Sequence, residues 1–576
     1  MRLIKIFFTS FLLLFAIGCE KYKADLIIEN GIIYTVNDFN PIVEAVAIKN
    51  GKIIAVGKDH QLRSFKDKNT KILDLNGATM VPGLIEGHGH FLGLGYAKMR
   101  LDLSNIKNYN ELVNMVTDAV KKAKPGEWIL GRGWHQSKWS QSPETMVKGF
   151  QTHNKLSAAS PDNPVWLTHA SGHAAFANAK AMEIAGVTTE TEFGFGGEII
   201  KDLRGNPTGI FNERAQRLVG RHVQTSKDDA DPNTATEAQQ GKSQMALELA
   251  VNECLKNGIT SFQDAGSGHQ AIEAFRKALD RGALKIRLYV MLSSGDPNLL
   301  KEWYKKGPEI GTGNDHLTIR SIKLNADGAL GSRGAWLLND YTDRPGHVGM
   351  ATQSMAYVYK VATNGLANGF QVNAHAIGDR ANREVLDQFQ KAFEENSGKA
   401  NNHRWRIEHA QHIDPTDIPR FGELGVIASM QGIHLSSDRS WAIDRLGEKR
   451  IIDGAYVWRN LMDTGAIIIN GTDVPVEPVN PIASFYASVS RKTLNGKPAD
   501  GFEPNQKMSR LEALKSYTIN AAFGAFEETI KGSIDVGKYA DFTVLSQNII
   551  TIPEDKILDT KILYTIVNGE ILYKSK

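Results

Sequence analysis

Cysteine is scarce in this sequence, and neither sign of charge is in excess. Only Cys19 and Cys254 occur among the 576 residues, which excludes a small fold held together by disulfides. The 67 basic and 64 acidic residues leave a net charge of +3. No basic patch is interleaved with aromatic residues, so we expect no nucleic-acid partner. Beyond the N-terminus, no apolar run is long enough to cross a membrane.

The N-terminus has the features of an export signal. Residues 1–5 include two basic side chains, and residues 6–18 are mostly apolar, a length that suits the core of a signal peptide. Ala16-Ile17-Gly18-Cys19 resembles a bacterial lipobox. We predict that residues 1–19 are a lipoprotein signal and that a lipid on Cys19 anchors the exported protein to a membrane, in the periplasm or at the cell surface. The alternative is an ordinary signal peptide with an incidental cysteine.

The second cysteine has a structural interpretation. If Cys19 carries a lipid, the mature chain cannot form an internal disulfide. Cys254 lies in a predicted helix over 246–256 and is expected to be a small buried apolar side chain.

Both ends of the chain contain short β-strands joined by Asn-Gly turns. Asn50-Gly51 separates two apolar runs near the N-terminus, and Asn568-Gly569 does the same near the C-terminus. We predict one small β-sandwich domain built from both chain ends. Its N-terminal part is residues 25–80, and its C-terminal part lies within residues 476–576, which also include the last helices of the central domain.

The middle of the chain, residues 81–475, alternates β-like runs with helical stretches, which indicates an α/β fold made of βα units. We count eight strands, the number that a (β/α)₈ TIM-type barrel requires, at 84–90, 259–263, 285–292, 317–324, 369–375, 404–409, 425–431 and 467–473. The gap after the first strand is too long for a connecting loop. We therefore predict an insertion over about 97–240 that covers the barrel mouth.

Potential metal ligands stand at the ends of these strands. His88 and His90 are two residues apart, so in a strand their imidazoles would face the same side. Later strands carry Lys323 and end in His375, His409 and Asp473. Each residue alone has a structural interpretation, such as a core histidine or a turn-capping aspartate. Barrel enzymes build their sites at this edge, however, so the combination favours a metal site.

Several stretches of the sequence form recognisable motifs. They are residues 81–95 around the two histidines, Ile322-Lys323-Leu324-Asn325-Ala326-Asp327-Gly328-Ala329-Leu330-Gly331, Asn373-Ala374-His375-Ala376-Ile377-Gly378-Asp379-Arg380-Ala381, Ile407-Glu408-His409-Ala410, Gly471-Thr472-Asp473 and residues 532–541. With these motifs the sequence resembles the metal-dependent amidohydrolase superfamily. Within it, the sequence is similar to the branch that contains N-substituted formamide deformylases, of the amidohydrolase family 3 type. The resemblance extends from about residue 25 to the end of the chain.

The resemblance implies a set of ligands and a reaction. His88, His90 and Asp473 would hold one divalent metal, and His375 and His409 a second. Lys323 would bridge the two as a carboxylated lysine, because a carbamate is an anion and an ammonium is not. Zinc suits these ligands, although other divalent ions would also fit. Asp473 would accept the proton of the attacking water. With a single metal, Lys323 could remain an ordinary amine.

Substrate contacts are harder to assign. His173 and Glu213 in the insertion could reach over the metals, and a purely structural role is an equal alternative. Arg333 and His434, predicted in loops after the fourth and seventh strands, could bind substrate or simply be solvated loop residues. The tryptophans of the insertion could line a pocket or form its core: Trp128, Trp134, Trp139 and Trp166.

The predicted function is hydrolysis of a small molecule at a carbon–nitrogen amide bond that is not a peptide bond, such as that of an N-acyl or N-formyl amine, by a metal-activated hydroxide. Two alternatives stay open. One is hydrolysis of a cyclic amide or an ester at the same site. The other is an envelope lipoprotein that binds a small molecule without catalysis. The oligomeric state also stays open, with a homo-oligomer among the options.

Overall fold

The structure is a computed structural model that describes residues 23–223 and 237–576. The predicted export signal and lipidation site at Cys19 lie outside the described residues. The centre of the molecule is a barrel of eight parallel strands, which confirms the predicted TIM-type fold. We number them β1 to β8: Leu84–Gly89, Ile259–Ser267, Arg287–Ser293, Leu317–Asn325, Gln371–Ala376, Arg406–His409, Ile427–Met430 and Ile468–Asn470.

Backbone hydrogen bonds close the barrel between its last and first strands. The ladder runs in parallel from β1 to β8. Beyond the end of β8, the Asp473 N–H donates to the His88 carbonyl at 2.8 Å, and the His90 N–H donates to the Val474 carbonyl at 2.7 Å. These two bonds hold the end of β1 beside the segment that carries Asp473.

Helices pack around the barrel because each presents an apolar face to the strands. Their starts carry helix-capping side chains that satisfy free backbone N–H groups, such as Asp296, Ser354 and Asn480. Cys254 is fully buried in the first of these helices, which confirms its predicted role. The helices that follow the successive strands include Glu237–Lys256, His269–Asp280, Pro297–Lys306, Met355–Asn368, Asp379–Glu395, Ile418–Leu424, Gly432–Leu446 and Pro481–Ser490.

The segment between β1 and the helix Glu237–Lys256 forms a six-stranded mixed sheet of its own. Its strands stand in the spatial order Gly197–Lys201, Pro207–Glu213, Ala174–Ala177, Val165–His169, Ile129–Trp134 and Leu101–Asp102. The helices Tyr109–Val120, Asn154–Ala159, Ala179–Ile184 and Arg217–Gly220 accompany it. The four tryptophans of this insertion pack in its own apolar clusters: Trp128, Trp134, Trp139 and Trp166.

The two chain ends form two facing sheets. One contains Lys52–Gly57, Ala45–Lys49, Leu26–Glu29 and Lys71–Asp74, and the other contains Glu570–Lys574, Ile562–Val567, Phe542–Leu545, Thr79–Pro82, Ile32–Tyr34 and Ile42–Val43. Apolar residues from both sheets form one shared cluster. Both Asn-Gly turns have positive φ at each residue, the conformation that tight hairpins need. The sandwich is thus built from both ends, as predicted.

The remaining elements connect these units. Short helices are Asp59–Leu62, Phe91–Lys98, Ser397–Ala400, Glu448–Gly454, Trp458–Asp463, Arg510–Ser516 and Ile519–Gly524. Within residues 23–223 and 237–576, no helix combines the length and the apolar character that a membrane span requires.

Candidate metal centre

Three ligand-type side chains meet at the carboxyl end of the barrel. His88 of β1, His409 of β6 and Asp473 after β8 each offer one atom, and these atoms all lie within 4.8 Å of one another. The His88 and His409 ring centroids are 4.9 Å apart. His88 Nε2 lies 3.5 Å from Asp473 Oδ1, and His90 Nε2 lies 3.1 Å from the same oxygen. The side chain of His90 is 43% exposed, so it stands on the solvent side of the cluster.

Several atoms of the candidate metal ligands are buried without a hydrogen-bond partner. Among the described residues, His88 Nε2, His375 Nε2 and Asp473 Oδ1 have none. A buried polar atom left unpaired costs free energy, so native proteins retain it where something else satisfies it. Imidazole nitrogens and a carboxylate oxygen are the donors that zinc and similar ions take. The residues present therefore fit a divalent metal.

The outer nitrogens of His88 and His409 are each held by a neighbour. His88 Nδ1 donates to Glu408 Oε2 at 2.5 Å, and Arg406 Nη2 donates to the same oxygen at 3.0 Å. His409 Nδ1 donates to Gln431 Oε1 at 2.7 Å. Such bonds fix the ring orientation and leave Nε2 free to face a metal. Sequence reasoning gave Glu408 and Gln431 no role, although Glu408 stands beside His409 in the quoted motif.

The surroundings of the candidate ligands keep them in the protonation states that can bind a metal. Burial lowers the pKa of His88 to about 4, and burial also holds the pKa values of His375 and His409 well below their usual range. The three imidazoles are therefore neutral near pH 7. Burial alone would raise the pKa of Asp473, but the close approach of His90 Nε2, at 3.1 Å, and of the neighbouring histidines holds it well below its usual value.

His375 of β5 adjoins this cluster, with its ring 4.5 Å from that of His409. Its Nε2 lies 3.3 Å from Asp327 Oδ1. Asp327 in turn accepts backbone N–H bonds from Trp336 and Gly378 at 2.8 Å and from Ile377 at 3.0 Å. These bonds tie the loop after β4 to the end of β5. Asp327 was part of a quoted motif but was not among the predicted site residues.

Lys323 lies within β4 and is buried at 4% exposure. Burial lowers the pKa of its ammonium, and the opposing attraction of Glu408 and Asp473 raises it. A lowered pKa increases the share of the neutral amine, which is the form that reacts with carbon dioxide to give a carbamate.

Backbone strain collects at the same place. His409, Ala410 and Asp473 have φ values of 75°, 42° and 56°, a region that side-chain-bearing residues rarely occupy and that is typical of functional sites. Asp473 was predicted at the last position of β8, but the strand ends at Asn470. Thr472 explains the difference, because its N–H and Oγ donate to Glu86 at 2.6 and 3.0 Å and draw the chain out of the ladder.

The insertion contributes a pair of residues above His375. His173 Nδ1 lies 2.7 Å from Glu213 Oε2, and the His173 ring is 5.1 Å from the His375 ring. Glu213 ends its strand with φ 49° and packs so closely against Gly328 that a Cβ there would lie 2.1 Å from its Oε1. The loop after β4 therefore needs glycine at this point for the carboxylate to fit.

Two other residues that were predicted to contact substrate, His434 and Arg333, lie in surroundings that differ from the prediction. His434 was predicted in a loop, but it lies in the first turn of the helix Gly432–Leu446, because this helix starts almost directly after β7. Its ring is parallel to that of His409 at 6.2 Å. The Arg333 guanidinium pairs with Asp343, with Nη2 2.8 Å from Oδ2, and Arg333 is not among the residues that line the central cavity.

The cavity beside the candidate metal ligands is narrow, with a volume of about 40 Å³. His173, His375, His409, His434 and Asp473 border it. Other polar and aromatic residues that border it were not among the predicted site residues: His135, Lys138, Gln411, Asp438, Trp441 and Glu477. They come from the insertion, from the segment after β6, from the helix after β7 and from the loop after β8. No single stretch of sequence marks them as a group.

Comparisons with known proteins agree with this geometry. The model of the amidohydrolase family matches residues 71–573. Protein LONG AFTER FAR-RED 3 of Arabidopsis thaliana is 32% identical over 562 residues, which cover 96% of this chain and 92% of that protein. The N-substituted formamide deformylase of Arthrobacter pascens is 26% identical over 557 residues, which cover 96% and 98%.

A solved structure shows the same fold. It is an uncharacterized metal-dependent hydrolase from Pyrococcus horikoshii OT3, with a TM-score of 0.71 and 26% sequence identity, and the match covers 92% of this chain and 99% of that one.

Proposed function

This chain belongs to the amidohydrolase family, and on that premise we propose that it hydrolyses a non-peptide carbon–nitrogen amide bond, such as that of an N-acyl or N-formyl amine. The convergence of the ligand atoms of His88, His409 and Asp473 within 4.8 Å carries the proposal. The relative named N-substituted formamide deformylase supports the choice of bond.

The proposed ligands are those that the sequence resemblance implied. His88, His90 and Asp473 would hold one divalent ion, for which we favour zinc, and His375 and His409 would hold a second. Lys323, as a carbamate, would supply a further anionic oxygen ligand. With one ion, Lys323 stays an amine. A bound ion lowers the pKa of a coordinated water and polarises the scissile carbonyl.

The protein's own residues then handle protons and position. Asp473 accepts a proton from the attacking water and delivers it to the amide nitrogen as the carbon–nitrogen bond breaks, which releases a carboxylic acid and an amine. His173, held by Glu213, and His434 border the cavity and contact the substrate. Arg333 is not assigned to substrate contact, because its guanidinium is paired with Asp343.

Metal analysis of the full-length chain purified in detergent tests the metal site, with His375→Ala and Asp473→Asn as variants. About two ions per chain, falling in His375→Ala, is the expected result. About one ion would keep the hydrolase and remove the bridging role of Lys323. No bound ion after reconstitution with zinc and bicarbonate would refute the mechanism and favour a binding lipoprotein.

A substrate panel tests the reaction. It contains N-formyl and N-acetyl alkylamines, one cyclic amide and one carboxylic ester. We expect turnover of the open-chain amides, which requires the bound metal and is lost in Asp473→Asn. Turnover of only the cyclic amide or the ester would assign the same site to another bond.

We also propose that the protein is an exported lipoprotein anchored through Cys19. The basic start, the apolar run and the lipobox-like residues before Cys19 support this. Radiolabelled palmitate should enter the full-length chain in bacterial cells and not the Cys19→Ser variant. Equal labelling of both chains would contradict the anchor.

A further inference from the structure

The mouth of the cavity holds one lysine and two carboxylates that the hydrolytic chemistry does not use. Lys138 ends a short 3₁₀ turn of the insertion, Asp438 lies in the helix Gly432–Leu446, and Glu477 follows β8. Lys138 Nζ is 3.2 Å from Glu477 Oε1 and 3.9 Å from Asp438 Oδ1. All three residues border the same cavity as His375, His409 and Asp473.

The two carboxylates lie deeper than the ammonium. The side chains of Asp438 and Glu477 are 18% and 15% exposed, and that of Lys138 is 33% exposed. Two carboxyl groups against one ammonium give this cluster an excess of acidic side chains. Because the Lys138 ammonium is partly exposed, water weakens its attraction to the two carboxylates. A cation that enters the cavity can therefore replace Lys138 beside the carboxylates at small cost.

The helix after β7 connects this cluster with the candidate metal ligands. His434 and Asp438 are four residues apart on one face of the helix, which separates them by about one helical turn, ~6 Å. The His434 ring lies parallel to that of His409 at 6.2 Å. Trp441 continues the same face. Within the described part of the chain, His434 Nε2 and Trp441 Nε1 are buried with no hydrogen-bond partner, which marks this face as a ligand surface.

We propose that Asp438 and Glu477 bind a positively charged nitrogen on the amine portion of the substrate, so that the enzyme selects N-formyl or N-acyl derivatives of diamines. This rests on the proposed function. A formyl or small acyl group carries no charge, which assigns the cation to the amine. The narrow cavity suits an unbranched chain, and a four-carbon spacer between the two nitrogens is about as long as the step of one helical turn from His434 to Asp438.

The test compares two amides of the same shape, N-formyl-1,4-diaminobutane and N-formylpentylamine, in which a methyl group replaces the ammonium. The zinc-loaded full-length chain should prefer the charged amide by about tenfold in kcat/KM, through KM. The preference should fall to near unity in Asp438→Asn/Glu477→Gln and should increase in Lys138→Met. Asp444→Asn, the same change on an exposed position of the same helix, is the matched control and should keep the parent ratio.

Binding of the amine products gives a second readout that needs no turnover. By calorimetry, 1,4-diaminobutane should bind the zinc-loaded parent about tenfold more tightly than 1-aminopentane, and the double variant should bind both equally. Equal binding in the parent, or a preference that survives in the double variant, would overturn the proposed cation site. Selective binding without hydrolysis of either amide would support the cation site and count against the proposed amide hydrolysis.

Discussion

The two ends of the barrel differ in how completely their buried polar groups are paired. At the carboxyl end, His88, His375 and Asp473 keep buried atoms without partners in the described chain. At the amino end, Arg287 opens β3 and is almost fully paired. Its Nε donates to Asp541 Oδ2 at 2.7 Å and its Nη1 donates to the Asn314 carbonyl at 3.0 Å.

This difference in pairing distinguishes the end of the barrel that serves function from the end that serves stability. Unpaired buried atoms destabilise the free protein and are retained where a ligand satisfies them, whereas paired ones stabilise the fold. Barrel enzymes carry their sites at the carboxyl end of the strands, and the amino end serves stability. Substitutions at the two ends should therefore change different measurements.

The largest effect is expected for Asp473→Asn. The amide keeps the shape but cannot accept a proton, so kcat on the best amide of the panel should fall by about 10³-fold. The midpoint of thermal unfolding should fall by less than in the amino-end variant Asp541→Asn, because the amide keeps the shape of Asp473 and only its charge, which the fold stabilises, is lost. Asp444→Asn is the control for both measurements. A loss of activity below tenfold would remove Asp473 from proton transfer.

The amino end should respond in the reverse manner. Asp541→Asn leaves the buried Arg287 guanidinium without its anion and should lower the free energy of unfolding in urea by about 3–5 kcal/mol. The kcat of the folded enzyme should not change. Asp555→Asn, at an exposed position, should leave both values unchanged. A stable Asp541→Asn variant with reduced kcat would break the proposed division between the two ends.

The same pair predicts a pH dependence. Burial raises the pKa of Asp541, but the Arg287 charge and hydrogen bond prevail and hold it below the ordinary value of 3.8. A depressed carboxyl pKa stabilises the fold above the unfolded-state pKa, and the contribution is lost as pH falls through the folded-state value. The stability difference between the parent and Asp541→Asn should thus be present at pH 7 and shrink below about pH 4. A constant difference across this range would contradict the ion pair.

A smaller effect is expected for Glu408→Gln. The neutral amide can still accept from His88 but no longer offers a charge to His88 and Arg406, so zinc affinity should fall by about 10–100-fold. Titration against a zinc chelator of known affinity measures the change. Glu448→Gln, exposed on a neighbouring helix, is the matched control. Unchanged zinc affinity would mean that His88 does not need its anionic partner.

The smallest effect should follow Gln431→Ala, which removes the acceptor that orients His409. Zinc affinity should decrease by about tenfold, and Gln431→Glu, which restores an acceptor, should recover it. The same chelator titration separates the two variants. Equal losses in both would indicate a packing role for Gln431 rather than an orienting one.

Much of the fold could be predicted because βα repeats produce a local pattern in the sequence, in which short apolar strands alternate with helical stretches. Strand β4 was predicted at 317–324 and spans Leu317–Asn325. The prediction that His88 and His90 share one strand was only partly met. His88 is buried in β1, whereas His90 lies one residue beyond the strand and its side chain is 43% exposed. Asp473 was displaced from the end of β8 by the bonds of Thr472 to Glu86, a partner 386 residues away.

The local apolar pattern was enough to place the candidate ligands at the carboxyl ends of the strands, because closure of the barrel then brings every strand end to one rim. The neighbour that orients each ligand and the residues that enclose the cavity depend on long-range packing. The contacts of His88 with Glu408, His173 with Glu213, and Lys138 with Glu477 join segments 40 to 339 residues apart. Such contacts depend on how the insertion and the loops pack against the barrel, and no local pattern records that packing.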